Sequence, residues 1–88
     1  MQKIPEHLYP LFWDVDINKF NPTEYPQYTI GRILEFGDEK AIAWMKETFS
    51  ITQVKGVITS EHRLSPRSAN FWALIFDVPS NEVAALKK

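Results

Sequence analysis

The sequence predicts an all-α fold, a compact orthogonal bundle of four to five short helices. Three observations carry that prediction. Apolar residues recur three and four apart along most of the chain, the spacing of one helix face. Polar side chains able to accept a backbone N–H (Asn21, Asp38, Ser50 and Ser65) stand just ahead of four such stretches. The connections between stretches run about three to six residues, which suits helices folded directly back on one another.

Taken in order, Pro5 opens a short helix over Glu6, His7, Leu8 and Tyr9. LFWDVDINKFNP has no clean period and reads as an irregular connection anchored by buried Phe12 and Trp13. Asn21-Pro22-Thr23-Glu24 is a capped turn, with Asn as N-cap, Pro at the first position and Glu at the third, cut short by Pro26. Ile30, Ile33 and Leu34 form an apolar stripe and Gly37 a stop, so a helix is expected over 27–36. Asp38 caps the next helix, which carries Ala41, Ile42, Met45 and Phe49 on one face, widened by Trp44. Ser50 caps a third, with Gln53 at the capping-box position and Ile51, Val54, Val57 and Ile58 at helical spacing. That segment is rich in β-branched residues and holds Gly56, which costs about 1 kcal/mol relative to Ala in a helix. A strand is therefore its competing reading over 51–59. Ser65-Pro66 is the strongest start signal, for a helix running through Phe76 and broken by Val78-Pro79-Ser80. Ser80 is expected to cap a short final helix with Val83, Ala84 and Leu86.

Residues 1–88 are expected to form a single small helical domain. A chain of this size buries only about 60–65% of its surface on folding, so each large side chain matters. Six Phe, three Tyr and three Trp are available, and the expectation is that these rings fill the core. The absence of cysteine rules out a disulfide framework and a Cys-based zinc site and fits a reducing compartment. MQKIPEHLYP is interrupted by Glu6 and two prolines and does not read as a secretory leader, so the expected location is cytoplasmic. No stretch approaches the roughly 20 apolar residues of a membrane span, and no membrane partner is expected. A net charge of −1 gives no long-range pull toward nucleic acid or anionic lipid.

Asp14-x-Asp16 invites a metal reading, because paired carboxylates hold magnesium when a strand presents them together below a phosphate-binding turn. Neither element is evident here, and the simpler expectation is that one Asp caps a turn while the other pairs with an arginine. His7 and His62 are far apart, no Gly-x-Ser-x-Gly elbow accompanies the serines, and three scattered glycines make no phosphate loop. No catalytic residue, metal or cofactor is expected. Arg32, Arg63 and Arg67 have carboxylate partners available in Asp14, Asp16 and Glu35. Arg63 is favoured as the residue that fastens LFWDVD to the helix at 66–76. A DNA-binding reading uses the helices at 38–49, 51–59 and 66–76 as a three-helix unit. Arg63 and Arg67 would then lie near phosphate at the free N–H groups of the last helix, with Asn70 facing a base edge. Against it stand the long SEHRLS turn, the slight net acidity and the run Phe71, Trp72, Leu74, Ile75 and Phe76, which makes that helix read as a core helix. Adjacent rings such as Phe12-Trp13 and Phe71-Trp72 point about 100° apart on a helix. One ring of a pair can stay exposed, and an exposed ring beside an arginine resembles a binding hot spot.

LFWDVD, RILEFGD followed by Trp44, and RLSPRSANFWA together resemble a family of small uncharacterised bacterial proteins often encoded beside abortive-infection, AbiE-type nucleotidyltransferase toxins. The resemblance runs from about Leu11 to Val78. It places shared residues at Trp13, Asp14, Asp16, Arg32, Gly37, Arg63, Ser65, Asn70, Phe71 and Trp72. It implies a toxin–antitoxin role, either a partner that restrains the toxin or a regulator of the shared operon, and no catalytic residues. The expected function is a non-enzymatic protein-binding module with Arg32, Arg63, Arg67, Asn70 and Trp72 as candidate partner-binding residues. The alternative is a small DNA-binding regulator using the helix at 66–76.

Overall fold

Helix starts are set by side chains that accept the first free backbone N–H groups, and they appear where the sequence places them. In the computed structural model, which describes residues 4–16 and 18–86, Asp38 accepts from Ala41 N at 3.0 Å and begins helix α2, Glu39–Thr48. Ser50 and Gln53 form a reciprocal capping box at the start of α3, Ile51–Ser60. Ser65 accepts from Ser68 N at 3.2 Å and begins α4, Pro66–Ile75. The first long helix, α1, spans Pro26–Phe36 and starts with its proline at the first helical position. Short 3-10 segments complete the order: Glu6–Phe12 and Pro22–Glu24 before α1, and Ser80–Glu82 and Ala84–Leu86 after α4. The described residues form an all-α bundle with no strand.

Residues 51–59 are helical despite their β-branched content. The capping box satisfies the first turn, and Val54, Val57 and Ile58 present one buried face. Asn21 caps the Pro22–Glu24 turn as expected, through Thr23 N at 3.2 Å. The end of the chain departs from expectation. Pro79, not Ser80, precedes the first of two separate 3-10 turns, and its ring offers no side-chain acceptor. The N-terminal leader reading falls partly on residues 1–3, outside the described ones, as does residue 17 of the irregular connection.

The core is more aliphatic than the composition suggests. Ile30, Ile33 and Leu34 of α1 meet Met45 of α2 and Val54, Val57 and Ile58 of α3, with Leu8, Leu64 and Val83 closing the ends. Helix α1 is the central element, packing on α2, α3, α4 and the two leading 3-10 segments. The Cα radius of gyration is 12.6 Å, close to the roughly 12 Å of a compact chain of this length. Phe12, Phe49 and Phe76 are buried, but Trp13, Tyr25, Phe36 and Phe71 stay largely in water. Helix α4 is not the core helix expected. It seats through Ala69 and Ala73, whose small side chains allow close approach, and this turns Phe71, Leu74 and Ile75 outward.

Two backbone sites are set by sterics. Gly37 follows α1 with φ −76° and ψ 155°, so its role is not a left-handed cap. A Cβ there would lie 2.6 Å from the Ile33 carbonyl oxygen and 3.0 Å from the Ala41 Cβ. Asp77 has φ 56° just beyond α4. Val78 N reaches Ala73 O at 2.8 Å and Asp77 N reaches Leu74 O at 3.4 Å, the paired bonds of a Schellman ending.

Candidate functional site

Helix α1 has a second stripe opposite its core stripe. Tyr28, Arg32, Glu35 and Phe36 fall at i, i+4, i+7 and i+8 and share a face. With Gly31 they form one wall of a cleft of about 240 Å³. The opposite wall is Glu61, Arg63 and Leu64, from the turn between α3 and α4.

Each charged group in the cleft is held by identifiable bonds. Arg32 reaches out of α1 to the end of the first 3-10 segment and the chain just beyond it. Its guanidinium donates to Leu11 O at 3.0 Å and pairs with Asp14 Oδ2 at 2.6 Å. The same group lies 4.2 Å from the Trp13 ring centroid and 4.8 Å from that of Tyr28. Asp14 also accepts from the Tyr28 hydroxyl. That bond chiefly holds its carboxyl below the usual range; partial desolvation opposes the shift, and Arg32 adds to it. Tyr28 is pushed up to about 12, by burial first and by its bond to Asp14 second, so its hydroxyl is a standing donor. Among the described residues Asp16 makes no such contact; it accepts Asn18 N at 3.1 Å, so the two aspartates divide into an arginine partner and a turn cap as the sequence suggested.

Glu61 is 6% exposed although it carries a charge. One carboxylate oxygen accepts Arg63 N at 3.0 Å and Nε at 2.9 Å, and the other accepts from the Arg63 and Gln27 side chains. The Arg63 guanidinium is the main reason its pKa falls to about 2, against the opposing pull of burial. Arg63 therefore does not fasten LFWDVD to α4. It folds back onto a residue two positions earlier, with its side chain 73% exposed. Arg32 makes the fastening instead, because α1 runs beside that segment.

Glu35 occupies the start of α4. It accepts Ser65 N at 2.6 Å, the Ser65 hydroxyl at 2.9 Å and the Ser68 hydroxyl at 2.6 Å. Burial pushes its pKa up, but the bonds from Ser68 and from the Ser65 N–H and hydroxyl outweigh it, and the carboxyl sits below the usual range. A carboxylate of the chain itself thus stands where the DNA reading put a phosphate.

Of the five candidate residues, Arg32 and Arg63 come together in this cleft. Arg67 and Asn70 do not line it; they are exposed on the outer face of α4. Trp72 is partly buried, with its indole N–H donating to Leu34 O at 2.7 Å across the α1–α4 contact.

Trp13 is the residue most misjudged from sequence. It is 65% exposed, not buried, because the chain turns just after Phe12 enters the core. Its ring meets Phe36, itself 55% exposed, edge-on at 5.6 Å. Trp13, Arg32 and Phe36 form one prearranged surface cluster at the cleft mouth. Phe36, Tyr28, Glu35 and Glu61 were not singled out as site residues, although the spacing of the second α1 stripe was visible.

Among the described residues no group of three or more His, Asp or Glu is placed to hold a metal ion, and no helix is long and apolar enough to cross a membrane. His7 and His62 are both exposed. Residues 8–58 match a family described as of unknown function, DUF6922. No curated protein matches the chain, and no solved structure does.

Proposed function

Since the chain belongs to DUF6922, a family of unknown function, we propose from its own surface that it is a cytoplasmic, non-enzymatic protein-binding module, engaging its partner through the Trp13–Arg32–Phe36 cluster and the adjoining cleft. The observation that supports this is two large rings left mostly in water yet packed edge-on against each other, with the Arg32 guanidinium stacked over the Trp13 face. Trp and Arg dominate binding hot spots because they bring large contact area with few rotamers to freeze. The polar groups of the cleft suit binding better than reaction. Glu35 and Glu61 are saturated with hydrogen bonds and held ionised, which leaves neither as a poised acid or base.

The resemblance to proteins encoded beside AbiE-type toxins makes a nucleotidyltransferase toxin the first partner to test. The chain would be co-expressed with the product of its neighbouring gene, and the affinity of the purified pair measured. Trp13→Ala and Phe36→Ala should each fold, since both rings are largely exposed, and should each weaken the complex by about 2 kcal/mol, or roughly 30-fold. No complex with unchanged toxicity, or a complex indifferent to both substitutions, overturns the reading. The regulator alternative predicts retention of duplex DNA that falls steeply with salt. It has less support, because Glu35 takes the α4 start and the outer face of α4 is largely apolar.

A further inference from the structure

Helix α4 turns Phe71, Leu74 and Ile75 to solvent, and Ile51 at the start of α3 is exposed beside them; Leu74 is 76% exposed. Ala69 and Ala73 point inward, so Phe71 and Leu74 share the outward stripe of α4 with Arg67 and Asn70. Where the helix ends, a shallow groove of about 530 Å³ opens, floored by Phe49, Ile51, Val54, Ile75 and Phe76.

The charge around this apolar surface is mostly of one sign. Lys46 and Lys55 stand on the groove rim and Arg67 at the far end of the stripe, and among the described residues Asp77 is the one carboxylate that lines the groove. Asp38 and Glu39 line a neighbouring hollow instead. None of the three cations belongs to the two ion pairs among the described residues, Arg32–Asp14 and Arg63–Glu61. The Lys46 ammonium lies 5.9 Å from the Phe76 ring centroid, at the edge of the groove floor. We propose that this face receives an acidic amphipathic helix of a protein partner. Its apolar side chains lie on Phe71 and Leu74 and enter the groove, and its carboxylates meet Arg67 at one end and Lys46 and Lys55 at the other.

Charge and shape select that occupant together. Cations around an apolar floor draw a partner that carries carboxylates and repel one that carries lysines. An amphipathic helix docks through apolar anchors at i, i+3 or i+4, and i+7, so its contacts extend over two to three turns. Helix α4 has ten residues and is about 15 Å long, and Phe71, Leu74 and the groove supply seats along that length. A recessed groove suits inserted side chains better than it suits a bilayer, into which a protein must project its own. Asn70 within the stripe and Asp77 at the groove are also polar groups that hydrocarbon leaves without partners. This face is separate from the Trp13–Arg32–Phe36 cluster, and the two surfaces are tested separately.

The probe is a synthetic helical peptide of about 14 residues, with leucine at i, i+3, i+7 and i+10 and glutamate and alanine elsewhere, titrated into the isotope-labelled full chain while amide chemical shifts are followed. A second peptide replaces every glutamate by lysine. The acidic peptide should bind with a dissociation constant on the order of 100 μM and shift the amides of α4 and the groove, and the lysine peptide should bind at least about tenfold more weakly. Leu74→Glu, at a side chain that lies mostly in water, should abolish the shifts with an unchanged circular dichroism spectrum. Lys46→Glu with Arg67→Glu turns the net charge of the face negative and should reverse the preference between the two peptides. Neither peptide binding at about 1 mM overturns the proposal, as do equal affinities for both, shifts that survive Leu74→Glu, or shifts centred on Trp13 and Phe36. A chain that ignores the acidic peptide yet pellets with phosphatidylserine-containing vesicles has a membrane-binding face instead, and one that ignores it yet doubles its mass in sedimentation equilibrium has a face for a second copy.

Discussion

Truncating Trp72 measures what the α1–α4 contact contributes to stability. A fully buried aromatic side chain hides about 150–250 Å². This ring is partly exposed, so about 120–160 Å² is withdrawn from water, which at about 25 cal/mol per Å² is worth roughly 3–4 kcal/mol. The indole N–H bond to Leu34 O, at 2.7 Å, adds about 1 kcal/mol. Relaxation at the partly open site returns some of this, leaving about 3–4 kcal/mol lost in Trp72→Ala. In a domain of this size that lowers Tm by at least about 12 °C. Trp72→Phe keeps most of the area and loses the bond, for about 1–2 kcal/mol. Urea unfolding followed by circular dichroism resolves the two, provided the slope against urea is unchanged. An alanine variant within about 0.5 kcal/mol of the parent refutes this account of the contact. If that variant had also lost a partner, Trp72 would belong to a binding surface.

Two further outcomes follow from single groups. Glu61 titrates near 2 in the folded chain against 4.5 ordinarily, so its contribution is fully present above about pH 4.5 and fades as pH falls toward 2. The span corresponds to at most about 3.5 kcal/mol, which the solvent around the exposed Arg63 guanidinium reduces to about 1–2. Glu61→Gln should flatten the acid limb of a stability profile by that amount, and an unaltered limb removes Glu61 as its cause. The glycines should respond in opposite directions to alanine. Gly37→Ala drives a methyl to 2.6 Å from a backbone oxygen and should cost about 1–3 kcal/mol. Gly56→Ala meets nothing within 4 Å in the middle of α3 and should stabilise by about 0.5–1 kcal/mol. Thermal melts giving the same sign for both count against the steric argument.

What was legible in the sequence was local. Asp38, Ser50 with Gln53, and Ser65 with Pro66 each act on backbone groups within three residues, so their effect can be read without the fold. The helical stripes of α1 and α3 were legible for the same reason. What was not legible depends on partners distant in sequence. Arg32 finds Leu11 and Asp14 across the turn that leads into α1, while Arg63, with an equally good claim on paper, turns back to Glu61. Burial of the rings held for Phe12, Phe49 and Phe76, and one ring of each adjacent pair stays exposed as the 100° spacing allows; it failed for Trp13, which ring size alone had placed inside. Space between α4 and its neighbours is set by Ala69 and Ala73, and a close alanine contact leaves no room for Phe71 or Leu74 inside.

The same packing keeps the buried charges apart from the proposed binding surface. The start of α4 needs acceptors for its first N–H groups, and the C-terminal end of α3 ends on a buried carboxylate that needs donors. Glu35 with Ser65 and Ser68, and Glu61 with Arg63 and Gln27, meet those needs on facing walls of one cleft. Most of the polarity of the cleft is therefore spent on holding the α3–α4 turn against α1. What remains available for recognition is the part that closes no helix end: the rings of Trp13 and Phe36, and the face of Arg32 stacked on Trp13. If that division is right, Glu61→Gln and Glu35→Gln lower stability with little change in partner affinity at a temperature where both variants stay folded. Trp13→Ala and Phe36→Ala do the reverse. A partner whose affinity tracks the carboxylates, and ignores the rings, would place recognition on the cleft walls instead of at its mouth.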